Sequence, residues 1–470
     1  MKAFFWRGAA PCLGLAGALV VAATAAPKAS LPRATRADRG ALVANKRATK
    51  PAPQRRTTPV PGASHAAFAT ATPIAPRAIT TAFVGRKGTQ FVLNGQPFPV
   101  AGTSIHYLGW GSKKEVDAVL EDARAMNFNV VRSILHSVIG SPDQSKPDAK
   151  AHIWNFKSTG DVSNMGMRGV YLLYWDADKN AWAWNDSTVN GLGRWDYVIA
   201  RAGKLGLKLD LSLLDFWQWA GGAQQINAWY GKTDRYTSFY TDPRTKTLYK
   251  AWVSHVLNRR NTITGVQYKN EPAIFAWDLM NEPEVSSVEL AQSWFREMSR
   301  FVKSIDANHL LTTGTEGFYD GRGGSDPQSE LALPDIDFGT WHTYPVYHNI
   351  STDDVVGLIK RHAATAAIVG KPVILQEFGW SEKHPDQAEV YRKWTNAVRL
   401  DPNAAGWIVW RLEGRVSPPP TRPFPEGESE ALGDFPPDNG EGFGIHRNAN
   451  PTAQALAQAA AAMKARTSRG

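Results

Sequence analysis

Cysteine is almost absent from these 470 residues: the single one, Cys12, sits near the N-terminus, so the rest of the chain has no disulfide and no cysteine metal site. Stability has to come from a packed core. The eleven histidines form neither an H-x-H nor an H-E-x-x-H pair, which leaves a metal-dependent hydrolase without its ligand spacing. Neither a G-x-G-x-x-G turn nor a P-loop follows the first candidate strand, which argues against a doubly wound nucleotide-binding sheet. Beyond the N-terminal segment no apolar run reaches the roughly 18 residues of a membrane helix.

The net charge of +10 is concentrated in one segment. Residues 27–78 carry ten basic side chains and one acidic one, Asp38, so residues 79–470 are close to neutral. A basic footprint for nucleic acid should lie on the folded surface, so nucleic-acid binding is disfavoured. Lys2 and Arg7 precede the apolar run 11–26, the pattern of an export signal, and Cys12 comes too early in that run for a lipid anchor. Residues 27–78, rich in Ala, Pro, Thr and Arg, bury too little apolar surface to order themselves and read as a linker; attachment to anionic envelope polymers is the alternative. The expectation is a secreted enzyme or binding protein with a signal at 1–26, a basic linker at 27–78 and one folded domain at 79–470.

From residue 79 strand and helix signals alternate. Strands are expected at 98–104, 128–134, 207–214, 273–280, 310–315, 337–343, 372–376 and 405–410. Apolar stripes at helical spacing separate them, including Val116, Val119, Leu120 and Ala123, and Ala291, Trp294, Phe295, Met298, Phe301 and Ile305. Eight strands with helical crossovers predict an α/β fold, a single (β/α)8 barrel with long loops at its C-terminal face. A short Ala-rich helix at 452–464 would close it.

Chemistry in such a barrel belongs where the strands end. The second strand delivers Arg132, the fourth Asn281 and Glu282, the fifth Glu316, the sixth His342 and Tyr344, the seventh Glu377 and the eighth Trp410. Two carboxylates facing each other across the mouth can cleave a glycosidic bond, one protonating the leaving oxygen while the other attacks or activates water. The seventeen tryptophans beyond Trp6 add aromatic faces for sugar rings. Trp217, Trp219 and Trp229 after the third strand are candidate platforms, and Trp154, Trp175, Trp182 and Trp184 could wall the cleft, as could the loop 413–443. His106 and Tyr107 after the first strand could line it too. Trp252, Trp294 and Trp394 sit in helical stripes and read as core.

The stretch W-D-L-M-N-E-P (277–283), with Q-E-F-G (376–379), W-H-T-Y (341–344) and V-V-R (130–132), resembles glycoside hydrolase family 5. F-Y-T-D-P (239–243), residues 257–272 and F-V-L-N-G-Q-P-F (91–98) are similar to its endo-β-1,4-mannanases. The resemblance implies a cofactor-independent, retaining enzyme acting on mannan, galactomannan or glucomannan, working as a monomer. It also implies Glu377 as nucleophile, kept ionised by Arg132 and bonded by Tyr344, and Glu282 as acid/base with its protonation set by His342. Asn281 would hold the sugar 2-hydroxyl and Trp410 would be the floor beneath the ring.

Asp215, Phe216 and Glu284 depart from the mannanase pattern beside the scissile bond, and Asp278 stands where Glu is frequent. Exo-acting β-mannosidase and β-1,4-glucanase activity therefore stay open, as does a non-catalytic carbohydrate-binding protein. That last reading gives no reason for two carboxylates with Arg132 and Tyr344 around one of them.

Overall fold

The computed structural model describes residues 83–135, 137–143, 145–146, 169–415, 434–435, 442–447 and 451–466. The expected signal and linker, Trp154, the side chain of Trp219 and most of the loop 413–443 lie outside the described residues. Eight parallel strands form one sheet: β1 (Val100–Ser104), β2 (Val130–Ile134), β3 (Lys208–Ser212), β4 (Ile274–Asp278), β5 (Leu310–Thr312), β6 (Gly339–Thr343), β7 (Val373–Phe378) and β8 (Ala404–Val409). They pair in the order β5-β4-β3-β2-β1-β8-β7-β6. Each coincides with an expected strand. Between β5 and β6 the ring closes through isolated bonds, Asp337 N–H to the Leu311 carbonyl at 2.8 Å and His342 N–H to the Glu316 carbonyl at 3.1 Å.

Helices α1 (Lys113–Ala125), α2 (Arg194–Lys204), α3 (Pro243–Asn258), α4 (Val288–Ile305), α5 (Pro327–Leu331), α6 (Asp354–Val369), α7 (Gln387–Leu400) and α8 (Pro451–Ala465) follow the strands in turn. Their starts are written locally. Ser112 and Glu115 form a reciprocal capping box on α1, and Asp242 caps α3 with Pro243 in its first turn. The α4 stripe buries Ala291, Trp294, Phe295 and Met298 as expected; Phe301, at the stripe's edge, and Ile305, in the last turn, are only partly buried, and Val302 takes the inward position. Thr452 at the start of α8 donates to Gln387 at 2.8 Å, docking the closing helix on α7. Among the described residues no helix is long and apolar enough to cross a membrane.

Two regions fill the barrel. At the N-terminal end a small antiparallel sheet (85–87, 90–93 and 96–97), turned at Asn94-Gly95 with positive φ at both, brings Phe91 beneath the strands. Phe91 meets Phe275 and Phe338 edge-on at 5.1 and 5.4 Å, within a buried cluster that includes Val100, Val130, Leu310, Ile374 and Ile408. Above this plug the interior is polar: Arg132, Asp210, Ser212, Asp278, His342, Gln376 and Glu377 are all buried.

Candidate active site

The strand ends converge as the alternation of a closed barrel requires. On β3, Leu209 and Leu211 join the core cluster shared with the helices, while Asp210 and Ser212 belong to the polar interior. An oxygen of Glu282, a ring nitrogen of His342 and an oxygen of Glu377 lie within 4.8 Å of one another. Glu282 follows β4 with φ of +45°, in the left-handed region that costs a non-glycine residue about 1–3 kcal/mol. Its N–H is held by the carbonyl of Gly314 at 2.9 Å. Gly314 has φ of +79°, and a Cβ there would lie 2.0 Å from the Met280 carbonyl, so only glycine lets these two strand ends meet.

The two carboxylates have unlike surroundings. Glu377 accepts from the Arg132 guanidinium through Oε1 and from the Tyr344 hydroxyl through Oε2 at 2.6 Å. Gly379 makes room for that tyrosine, since a Cβ there would stand 2.7 Å from its ring. Glu282 faces His342 Nδ1 at 2.7 Å and accepts from the Trp217 indole N–H at 2.5 Å. Arg132 also bonds Asp278 at 2.9 Å, Asn281 Oδ1 at 2.8 Å and Ser212 at 3.2 Å. Asn281 gives one amide proton to Asp215 at 3.0 Å, which fixes its orientation and leaves its second N–H.

Burial works against the charge of Arg132, but Asp278, Glu377 and Asp210 around it keep the guanidinium protonated. For Glu377 burial is the larger influence and raises its pKa, while His342 and Arg132 pull it down. The expected contact with Arg132 is therefore present but does not by itself outweigh burial. Burial also opposes charge on His342, yet the neighbouring Glu377 and Glu282 hold its pKa above 6.5.

Trp410 is half-buried and lies flat on His106, ring centroids 4.5 Å apart and planes within 16°. Trp407 on the same strand is wholly buried, so Trp410 is the one at the mouth. Glu316 is buried with its carboxylate 3.4 Å from His348. Trp229 is not a platform: it ends the helix Gly222–Trp229, is buried, and donates to the Gly140 carbonyl at 3.1 Å. Tyr107 is likewise core, packed on Trp110 with ring centroids 4.7 Å apart. The hairpin 173–176/181–184 carries Trp175, which is buried, and Trp182 and Trp184, which are half-buried; Trp184 stacks on His255 of α3 with ring centroids 4.2 Å apart. Trp252, Trp294 and Trp394 are core.

Among the described residues the one grouping with metal-ligand spacing is Glu282, His342 and Glu377 themselves. Their ligand atoms already face one another, the Arg132 guanidinium and the Tyr344 hydroxyl, a donor set that fits proton transfer better than a cation. Asp210 and Ser212 are site residues the motif reading did not select; the signal was their polarity at alternate positions in an otherwise apolar strand.

The profile of the family described as GH family 5 beta-mannosidase-like matches residues 169–467. Mannan endo-1,4-beta-mannosidase 1 of Oryza sativa subsp. japonica is 32% identical over 379 residues, covering 70% of this chain and 78% of that protein. Its Arabidopsis thaliana namesake is 30% identical, covering 71% and 83%. The crystal structure of the endo-1,4-beta-mannanase from Rhizomucor miehei superposes with a TM-score of 0.68 at 32% identity, covering 81% of this chain and 99% of that one. With the eight-stranded barrel and the paired glutamates at its mouth, these similarities make the chain a glycoside hydrolase belonging to family 5, in its β-mannosidase-like group.

Proposed function

We propose that this enzyme cleaves β-1,4-mannosidic bonds within mannan, galactomannan or glucomannan by a retaining double displacement. The observation that carries the reading is the close, unequal carboxylate pair. Oxygens within 4.8 Å suit the roughly 5–5.5 Å of retaining enzymes and leave no room for the water that inverting enzymes hold between groups about 6.5–9.5 Å apart. Glu377, bonded by Arg132 and Tyr344, attacks the anomeric carbon as nucleophile. Glu282 gives its proton to the leaving oxygen, then takes one from the water that releases the sugar. His342 and Trp217 hold Glu282 in place, and the second N–H of Asn281 serves the sugar 2-hydroxyl, a contact that strengthens in the oxocarbenium-like transition state. Trp410, backed by His106, is the surface on which the ring stacks. The names of the relatives favour an internal cleavage site on a mannan backbone, and a polymeric substrate agrees with export of a chain working as a monomer.

Hydrolysis of mannan, galactomannan, carboxymethylcellulose and mannobiose by the full chain, read by viscosity and reducing ends together, tests this reading. Rapid viscosity loss on the mannans, with the β-anomer formed first by proton NMR and both lost in Glu377→Ala, is the expected result. Activity confined to mannobiose or chain ends would replace endo with exo action, and the α-anomer first would overturn double displacement.

A further inference from the structure

Beneath the catalytic pair lies a second buried layer with no contact to substrate in the mechanism above. Gln376, the residue before the nucleophile, places one end of its amide 2.8 Å from Asp210 Oδ2 and 3.1 and 3.2 Å from the two oxygens of Asp278. Carboxyl oxygens at that end require the N–H groups of the amide. Its other end is then the carbonyl, which only accepts, and it stands 3.2 Å from His342 Nε2. The imidazole must supply the proton there. A neutral ring has one N–H, so Nδ1 is left bare, 2.7 Å from Glu282 Oε1. A bare nitrogen that close to a carboxyl oxygen needs a proton between them, and that proton is the one an acid catalyst gives away.

We propose that Asp210, acting through Gln376, is a positioning residue that locks His342 in the Nε2–H tautomer and so makes Nδ1 the acceptor for the acid proton of Glu282. This rests on the reading of Glu282 as acid/base. The relay admits one proton between His342 and Glu282, on either atom, and excludes the flipped tautomer, which would set N–H against N–H or leave the Gln376 carbonyl facing a lone pair. Asp278 shares this work through Oδ1, but Asp210 holds the shorter bond to the amide. Asp278 Oδ2 already accepts from Arg132 and from Ser212 at 2.6 Å, whereas Asp210 offers Gln376 an oxygen and keeps Oδ1 without a donor.

Two experiments on the full chain test the relay. In wild-type protein labelled with 15N-histidine, with His342 assigned by the signals missing from His342→Asn, the neutral ring should carry its proton on Nε2; a proton on Nδ1 overturns the proposal without recourse to any variant in the layer. The second compares mannan with a dinitrophenyl β-mannobioside, whose leaving group needs no protonation. Gln376→Leu and Asp210→Leu should lower kcat/KM on mannan about tenfold or more while changing the activated substrate less than about threefold, a share of the roughly 10²–10⁴-fold that general acid catalysis supplies. Asp210→Asn keeps an acceptor for Gln376 and should recover most of the mannan rate. An equal fall on both substrates in the leucine variants makes the layer merely structural. If Glu282→Ala also falls equally on both, the acid/base reading fails and takes the relay with it; if Glu282→Ala is strongly selective and Gln376→Leu is not, only the relay fails.

Discussion

The two ends of the barrel interior are built on different physics. The lower end is an aromatic and aliphatic plug around Phe91, held by burial alone, in which no side chain depends on one partner. The upper end is a set of charges in which Arg132 serves Glu377, Asp278, Asn281 and Ser212 at once. Non-directional contacts lose strength in proportion to what is removed, whereas an interlocked polar set fails as a unit when one member goes. The plug supplies stability that the upper half, with three carboxyl groups in a buried space, draws on.

Arg132→Leu should break the comparison most sharply. It leaves Asp278 and Glu377 buried without their cation, and unfolding in urea should show a loss of about 3–5 kcal/mol together with loss of activity. Phe91→Ala, in the plug, should cost about 3 kcal/mol by the same measurement while the folded enzyme keeps its kcat. Acid titration separates the ends further. Although burial favours the neutral acid, His309 and several hydrogen bonds hold Asp306, at the loop entering β5, down to about 2. A depressed carboxylate stabilises the fold above its unfolded pKa of 3.8 and loses that contribution as pH falls toward about 2. Asp306→Asn should therefore flatten the stability–pH curve between about pH 4 and 2 by about 2 kcal/mol, as followed by thermal melts. Above 6.5 the sign belongs to His342: its raised pKa contributes below 6.5 and is lost as pH rises through the folded value. The smallest effect is the most local. Gly379→Ala should push the Tyr344 ring away from Glu377 and lower kcat on mannan about tenfold, about 1.4 kcal/mol in the barrier, with little change in the melting temperature.

The strands and the glutamate pair were legible in the sequence because each is a local pattern: an apolar run ending in N-E-P or Q-E-F-G is complete within a dozen residues. The polar layer was harder to read. Lys208-Leu209-Asp210-Leu211-Ser212 has the alternation of any half-exposed strand, and only closure of the sheet turns Asp210 and Ser212 inward toward Arg132. Trp229 was misread, and Tyr107 left open, for a related reason. Their loops follow barrel strands, where cleft residues are expected, but short helical turns fold both rings back into the core. Trp410 could be told from Trp407 only once the phase of β8 was known.

The closure between β5 and β6 has a consequence for how this enzyme dies. Elsewhere neighbouring strands are paired in ladders, three of them with a register shift, but here scattered bonds such as that from the His342 amide to the Glu316 carbonyl hold the wall together. A ring parts at its weakest stave, and this one carries the histidine that serves Glu282. On warming, the His342 amide should exchange with solvent before those of β7 and β8, and catalysis should fade while most of the barrel is still intact.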